Sequence, residues 1–148
     1  MLLSRPNKSR KVAMLVSQKS QYALRAIYEL ARQAGKGPVK ISNIADAQAI
    51  PARFLEVILY QLKCAGLVDS KRGYHGGYEL IGSPDEISVG DIFKSIGQNI
   101  SPVQCLNEEI QNPCPFYGNC AFLPMWRKVQ SAILNVCNKT TVQDLLTG

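Results

Sequence analysis

Apolar residues recur at three- and four-residue spacings through QKSQYALRAIYELARQA (18–34), at Tyr22, Ala23, Ala26, Ile27, Leu30 and Ala34. That stripe predicts an amphipathic helix, with Ser17 as its N-cap and Gly35 as its stop. After GKGP, the segment ISNIADAQAI reads as a short helix capped by Ser42, with Ile41, Ile44 and Ala45 turned inward. PARFLEVILYQLKCAGL then carries Phe54, Leu55, Ile58, Leu59 and Leu62 at helical spacing. Pro51 sits near its first turn, where a missing N–H costs nothing, and Gly66 ends it. LVDSKRGYHGGYELIG changes period and predicts two short strands around a glycine-rich turn, with Leu67, Val68, Tyr78 and Leu80 as the apolar strand residues. SVGDIFKSIG predicts a helix capped by Ser88, with Asp91 three residues on. Near the end, PMWRKVQSAILNVCN puts Trp126, Val129, Ile133 and Val136 or Cys137 on one stripe, and TTVQDLL reads as a short closing helix.

A longer helix, two helices joined by a few residues, and a hairpin directly after them is the order of a winged helix-turn-helix. The expected fold is mainly α with a small β-hairpin wing, plus a long C-terminal dimerisation helix. Residues 14–83 form the DNA-binding unit and residues 84–148 carry the cysteine loop and the dimerisation helix. The hairpin presents Lys71, Arg72 and His75 at or near its tip, and Gly73, Gly76 and Gly77 keep bulk away from it. An apolar stripe on a helix beyond a self-contained domain needs a partner. A two-fold copy of the chain is the economical one, and packing on the first helix of the same chain is the alternative.

Composition narrows the class. The chain has 148 residues and 46% hydrophobic content, and no apolar run approaches the roughly 20 residues that cross a bilayer. No secretory signal pattern is evident, so the thiols are expected in the reducing cytoplasm. Net charge is +6, yet Arg5, Lys8, Arg10 and Lys11 supply four of the positive charges, leaving 13 basic against 11 acidic residues elsewhere. Residues 1–13 therefore read as a basic extension, either disordered or a DNA-contacting arm. With a single histidine, no paired acid and base and no nucleophile with an orienting histidine, an enzyme is not expected.

Cys105, Cys114 and Cys120 follow a C-x8-C-x5-C spacing, unlike the C-x2-C pair of common zinc modules. Pro113, Pro115 and Gly118 stiffen and turn this loop. Five cysteines in a cytoplasmic chain argue against a disulfide framework. Cys64 and Cys137, both on helices, read as small core residues.

SQKSQYALRAIYELA, ISNIADAQAIPARFLEVILYQLKCAGLV, the wing RGYHGGYEL, ISVGDI and the three-cysteine loop followed by a tryptophan-bearing helix together resemble the iron–sulfur branch of the Rrf2 family of bacterial transcription regulators. The resemblance covers about residues 14–146 and rests on motifs of different kinds in the right order. It implies a homodimer that binds double-stranded DNA at a palindromic operator and holds an iron–sulfur cluster, 4Fe-4S or 2Fe-2S with a lean to the former. By position it carries base contact to Pro51, Ala52, Arg53, Phe54 and Glu56, and minor-groove contact to Arg72 and Gly73, with Lys71 and His75 nearby. Lys19 and Gln21, at the start of the first helix, are candidates for phosphate or cluster-side contacts. Arg53 is the best base reader in physical terms, because a guanidinium pairs bidentately with guanine, and Glu56 can accept from cytosine. Phe54 could equally be core.

Cys105, Cys114 and Cys120 are then the cluster ligands that the resemblance implies. One branch of the family has a histidine three residues after the last cysteine, where this chain has Leu123, which cannot ligate iron. Gln21, Glu108 and Glu109 are the remaining candidates for a fourth ligand, along with a small molecule or water. The reading is a repressor sensing iron or cluster status, nitric oxide or redox state. A cluster-free thiol switch or zinc regulator of the same fold, and a small iron–sulfur carrier, are the alternatives.

Overall fold

The computed structural model describes residues 16–109, 111 and 114–148, so the reading of residues 1–13 lies outside the described residues. The first helix, α1, spans Gln18–Arg32, and the Ser17 side chain accepts a hydrogen bond from the Ser20 amide to cap it. Ala23, Ala26 and Ile27 are wholly buried along its inner stripe. The helix ends before Ala34, which is exposed, because the chain leaves the helical path at Gln33.

Helix α2 (Ile41–Gln48) starts two residues earlier than expected: its N-cap is Lys40, whose carbonyl accepts from the Asn43 and Ile44 amides. Ser42 is an exposed first-turn residue and caps nothing. The turn into α3 (Ala52–Cys64) is made by Ala49 in the left-handed region, at φ 51° and ψ 47°. Pro51 is the N-cap of α3 rather than part of its first turn. Leu55, Ile58, Leu59 and Leu62 are buried beneath α3, each stabilising the fold by about 1.5–3 kcal/mol. Phe54 does not join them; it is 48% exposed.

Strands β1 (Val68–Lys71) and β2 (Gly77–Leu80) form an antiparallel hairpin that pairs Val68 with Leu80 and Lys71 with Gly77. Val39 extends it through paired backbone hydrogen bonds of 2.8 Å with Tyr78. The molecule is thus mainly helical with a two-stranded wing, as the sequence predicts.

Helix α4 (Val89–Ser95) carries the expected capping box between Ser88 and Asp91. Helix α5 (Leu123–Lys139) leads away, and α6 (Val142–Thr147) returns. The Val142 amide donates to the Ile87 carbonyl at 2.8 Å, and its wholly buried side chain shares one core with Ile27 and Leu59. The core therefore runs across the boundary expected at residue 83. Ile133 and Cys137 of α5 pack on Val89, Phe93 and Ile100, whereas Val129 and Val136 are 36% and 63% exposed. The single stripe read along α5 is two stripes, one facing α4 and one facing solvent. Among the described residues, no helix is long and apolar enough to cross a membrane.

Glu29, buried in α1, accepts from the Gln48 amide of α2 at 2.8 Å, from Gln33 at 3.1 Å and from Arg32 at 3.2 Å. Burial pushes its pKa up, but the hydrogen bonds from Gln33 and Gln48 and the Arg32 charge outweigh it, and the net shift is downward. A lowered folded-state pKa adds stability that is present above the unfolded-state pKa and lost as pH falls through the folded one. Glu29→Ala is expected to cost about 1–3 kcal/mol at neutral pH, with a smaller loss in acid, measured by denaturant unfolding across pH. Ala49→Gly should instead raise stability by about 1 kcal/mol, because it removes the left-handed strain at that turn.

Candidate nucleic-acid interface and cysteine segment

With Leu55, Ile58, Leu59 and Leu62 facing the core, the 3.6-residue period turns Arg53, Val57, Tyr60 and Cys64 outward, with Glu56 beside them. All five are exposed, so Cys64 is not a core residue. Pro51 and Ala52 are exposed at the N-terminal end of this face. The helix has no side-chain cap there, which leaves first-turn amides available to an anion. The Arg53 guanidinium lies 4.9 Å from the Phe54 ring, and the Phe54 ring lies 6.5 Å from that of Tyr22 in α1. Among the described residues, no carboxylate pairs with Arg53. Lys19 borders the same region, but its Nζ donates to the Ile96 carbonyl at 3.4 Å, so it is turned toward the end of α4.

In the wing, Lys71 pairs with Glu79 across the hairpin at 2.7 Å, and that hydrogen bond and charge raise the Lys71 pKa. Arg72 and His75 are exposed and make no ion pair among the described residues. Tyr74 is 84% exposed, edge-on to His75 at 5.0 Å and beneath the Lys40 ammonium at 5.0 Å. Sequence reading passed over Tyr74 and Lys40; an aromatic residue inside a glycine-rich basic turn was the available signal. A Cβ at Gly76 would fall 2.2 Å from the Lys71 carbonyl oxygen, and one at Gly77 would fall 2.4 Å from that of Val39. The two glycines thus let the wing close on itself and on the Val39 segment.

Cys105 lies in a 3-10 turn, Gln104–Leu106, and Cys105, Cys114 and Cys120 are all half-buried. A polar cavity of about 730 Å³ at the base of α5 is bounded by Cys105, Glu108, Tyr117, Leu123 and Arg127. Cys114 and Cys120 are not on its wall. Glu108 and Glu109 are exposed, and Gln21 donates from its side chain to the Val16 carbonyl at 3.5 Å. Among the described residues, no three Cys, His, Asp or Glu side chains are gathered closely enough to hold a metal ion. The donor set suits a thiophilic iron centre in kind, with three thiols in sixteen residues, but its arrangement here does not converge. Cys137, packed beside Phe93, has its thiol pKa pushed up by burial, which disfavours the thiolate.

Hydrogen bonds join this segment to α1. The Asn99 amide donates to Asn107 Oδ1 at 2.7 Å, and the neighbouring Gln98 donates to the Asn99 carbonyl at 2.6 Å. Gln98 Oε1 accepts from the buried Ser20 hydroxyl at 2.5 Å and from the Ser17 amide at 3.0 Å. The first turn of α1 is thereby clasped to the chain that leads into the cysteines.

Known proteins are similar to this chain in sequence and fold. The profile of the Rrf2 family, described as an iron-dependent transcriptional regulator, matches residues 16–148. The transcriptional regulator CymR of Bacillus subtilis is 36% identical over 132 residues, covering 89% of each chain. The solved structure of that protein, described as the global cysteine regulator, superposes with a TM-score of 0.73 at 34% identity, over 89% of this chain and 95% of that one. IscR of T. potens superposes with a TM-score of 0.71 at 32% identity, over 91% and 88%. The oxidized form of Staphylococcus aureus CymR gives 0.69 at 30% identity, over 89% and 95%.

Either Gly76→Ala or Gly77→Ala is expected to break the wing closure and cost about 1–3 kcal/mol in thermal unfolding, whereas Arg72→Ala, on the exposed tip, should stay within about 0.5 kcal/mol.

Proposed function

Because the chain belongs to the Rrf2 family of transcriptional regulators, we propose that it reads a palindromic operator as a homodimer and that Cys105, Cys114 and Cys120 set its affinity for DNA. It is a DNA-binding regulator and not an enzyme, in keeping with relatives that are named as regulators. The observation that carries the DNA reading is Arg53, exposed on the outward face of α3 without a carboxylate partner among the described residues, together with Arg72 on a glycine-tipped wing. Helix α3 enters the major groove, where Arg53 donates to guanine and Glu56 accepts from cytosine, with Pro51, Ala52 and Phe54 against base edges. Arg72 and Gly73 approach the minor groove, and His75 touches phosphate. Lys71 is a weaker candidate, since Glu79 already holds it.

The dimer is supported by the second stripe of α5. Phe122, Met125, Val129 and Val136 are 66%, 47%, 36% and 63% exposed, spaced three, four and seven residues apart. That spacing suits a seam between two packed helices, and a two-fold axis through it would repeat α3 for a paired half-site.

The three thiolates would hold an iron–sulfur cluster, which when bound supplies a centre whose ligation responds to iron supply, nitric oxide or oxidant. Leu123 leaves the local sequence without a histidine ligand, and Gln21, Glu108 or Glu109 of this chain or its copy are the oxygen or amide candidates. A change in the segment reaches DNA through the Asn107, Asn99, Gln98 and Ser20 hydrogen bonds, because α1 carries Tyr22 against Phe54 of α3. A regulator of this kind works in the cytoplasm, as a repressor whose affinity differs between the two states.

A cluster-free thiol switch is the second reading, favoured by the dispersed thiols and by similarity to a cysteine regulator and to its relative in an oxidized form. Anaerobic purification with iron and sulfide analysis and visible absorption separates the two. A coloured protein that loses iron when Cys105, Cys114 or Cys120 is changed to Ala is expected, and a colourless, iron-free protein would move the assignment to the thiol switch. On DNA, Arg53→Ala is expected to weaken specific binding by about tenfold to a hundredfold, and Arg72→Ala to lower the salt slope by about one, both by fluorescence anisotropy.

A further inference from the structure

We propose that Val57 reads the C5-methyl group of a thymine, within about two base pairs of the guanine read by Arg53. This rests on α3 entering the major groove.

Val57 is 57% exposed and follows Arg53 by one helical turn on the face directly opposite the core. One turn separates the two side chains by about 6 Å along the helix, and base pairs are stacked about 3.4 Å apart, so the two residues fall on neighbouring or next-neighbouring steps. Val57 can neither donate nor accept a hydrogen bond. Of the four bases, only thymine offers an apolar group in the major groove, so a valine at this position has one favourable partner.

Its surroundings support that contact. Val57 forms a wall of a cleft of about 360 Å³ with Tyr22, Phe54 and Ile58, and Lys19 stands at the rim. The Phe54 ring is flanked from two sides, by Tyr22 at 6.5 Å and by the Arg53 guanidinium at 4.9 Å. The charge around it suits a polyanion: Arg53 has no carboxylate partner among the described residues. Arg53 and Val57 together specify a short two-letter signature in each half-site, one letter by hydrogen bonds and the other by a methyl group.

The test begins by selecting duplexes from a random-sequence pool with the purified full chain, in both its anaerobic and oxidised states. Each thymine of the selected duplex is then replaced by uracil, which removes the methyl group and leaves base pairing unchanged. Wild-type protein is expected to bind about threefold to tenfold more weakly when uracil stands at one symmetric pair of positions within two base pairs of the Arg53 guanine. Val57→Ala should lose that sensitivity while keeping its dependence on the guanine, with unchanged thermal unfolding because the residue is exposed. If every thymine tolerates uracil in the wild type while Arg53→Ala still abolishes selectivity, the proposal is wrong and the reading of DNA by α3 stands. If no duplex is enriched in either state, α3 does not read DNA, and the proposal fails with that reading.

Discussion

The arrangement depends on how closely α1 can be approached from its two sides. Ala23, Ala26 and Ile27 are wholly buried, and the two alanines let neighbouring elements come near the helix axis without leaving voids. The same helix meets the Gln98 clasp through Ser17 and Ser20 at its first turn, the α3 aromatic Phe54 through Tyr22, and α2 through Glu29. A rigid element with three faces committed in this way cannot adjust to one neighbour alone. The proposed link between the cysteine segment and α3 therefore rests on packing around one helix and not on a long flexible lever.

Much of the fold is legible in the sequence because it rests on local chemistry. The period of Ala23, Ala26, Ile27 and Leu30 gives α1, the Ser88 and Asp91 pair gives the start of α4, and the glycines between Lys71 and Tyr78 give the wing. Lys40 displaced Ser42 as a cap because the backbone becomes helical two residues earlier than side-chain preference suggests. The return of α6 was not readable. TTVQDLL announces a short helix, but Val142 is buried by Ile87 and α1, more than fifty residues away in sequence, and no local pattern encodes that contact.

The candidate site divides in the same way. The exposure of Arg53, Glu56, Arg72 and His75 was legible because it follows from the period of α3 and from turn chemistry at a hairpin tip. Cys64 went astray for a related reason, being apolar enough to read as core although its angular position on α3 turns it outward, and the same position decides between the two readings of Phe54 in favour of the exposed one. Along α5, Val129 and Val136 merged with Ile133 and Cys137 into one apparent band, because an apolar face wider than one packing surface has no internal boundary in sequence. Cysteine spacing fixes the number and kind of donors but says nothing about convergence, which depends on the loop between them and on any second chain.

On the proposed function, the chemical state of the cysteine segment changes the affinity of α3 for DNA. This is tested most directly by titrating one selected duplex with anaerobic protein and with protein whose Cys105, Cys114 and Cys120 are all changed to Ala, at a single salt concentration. A difference of about tenfold or more in Kd between the two, with the same preferred sequence, is predicted. Equal affinities, with both proteins dimeric and folded, would contradict it.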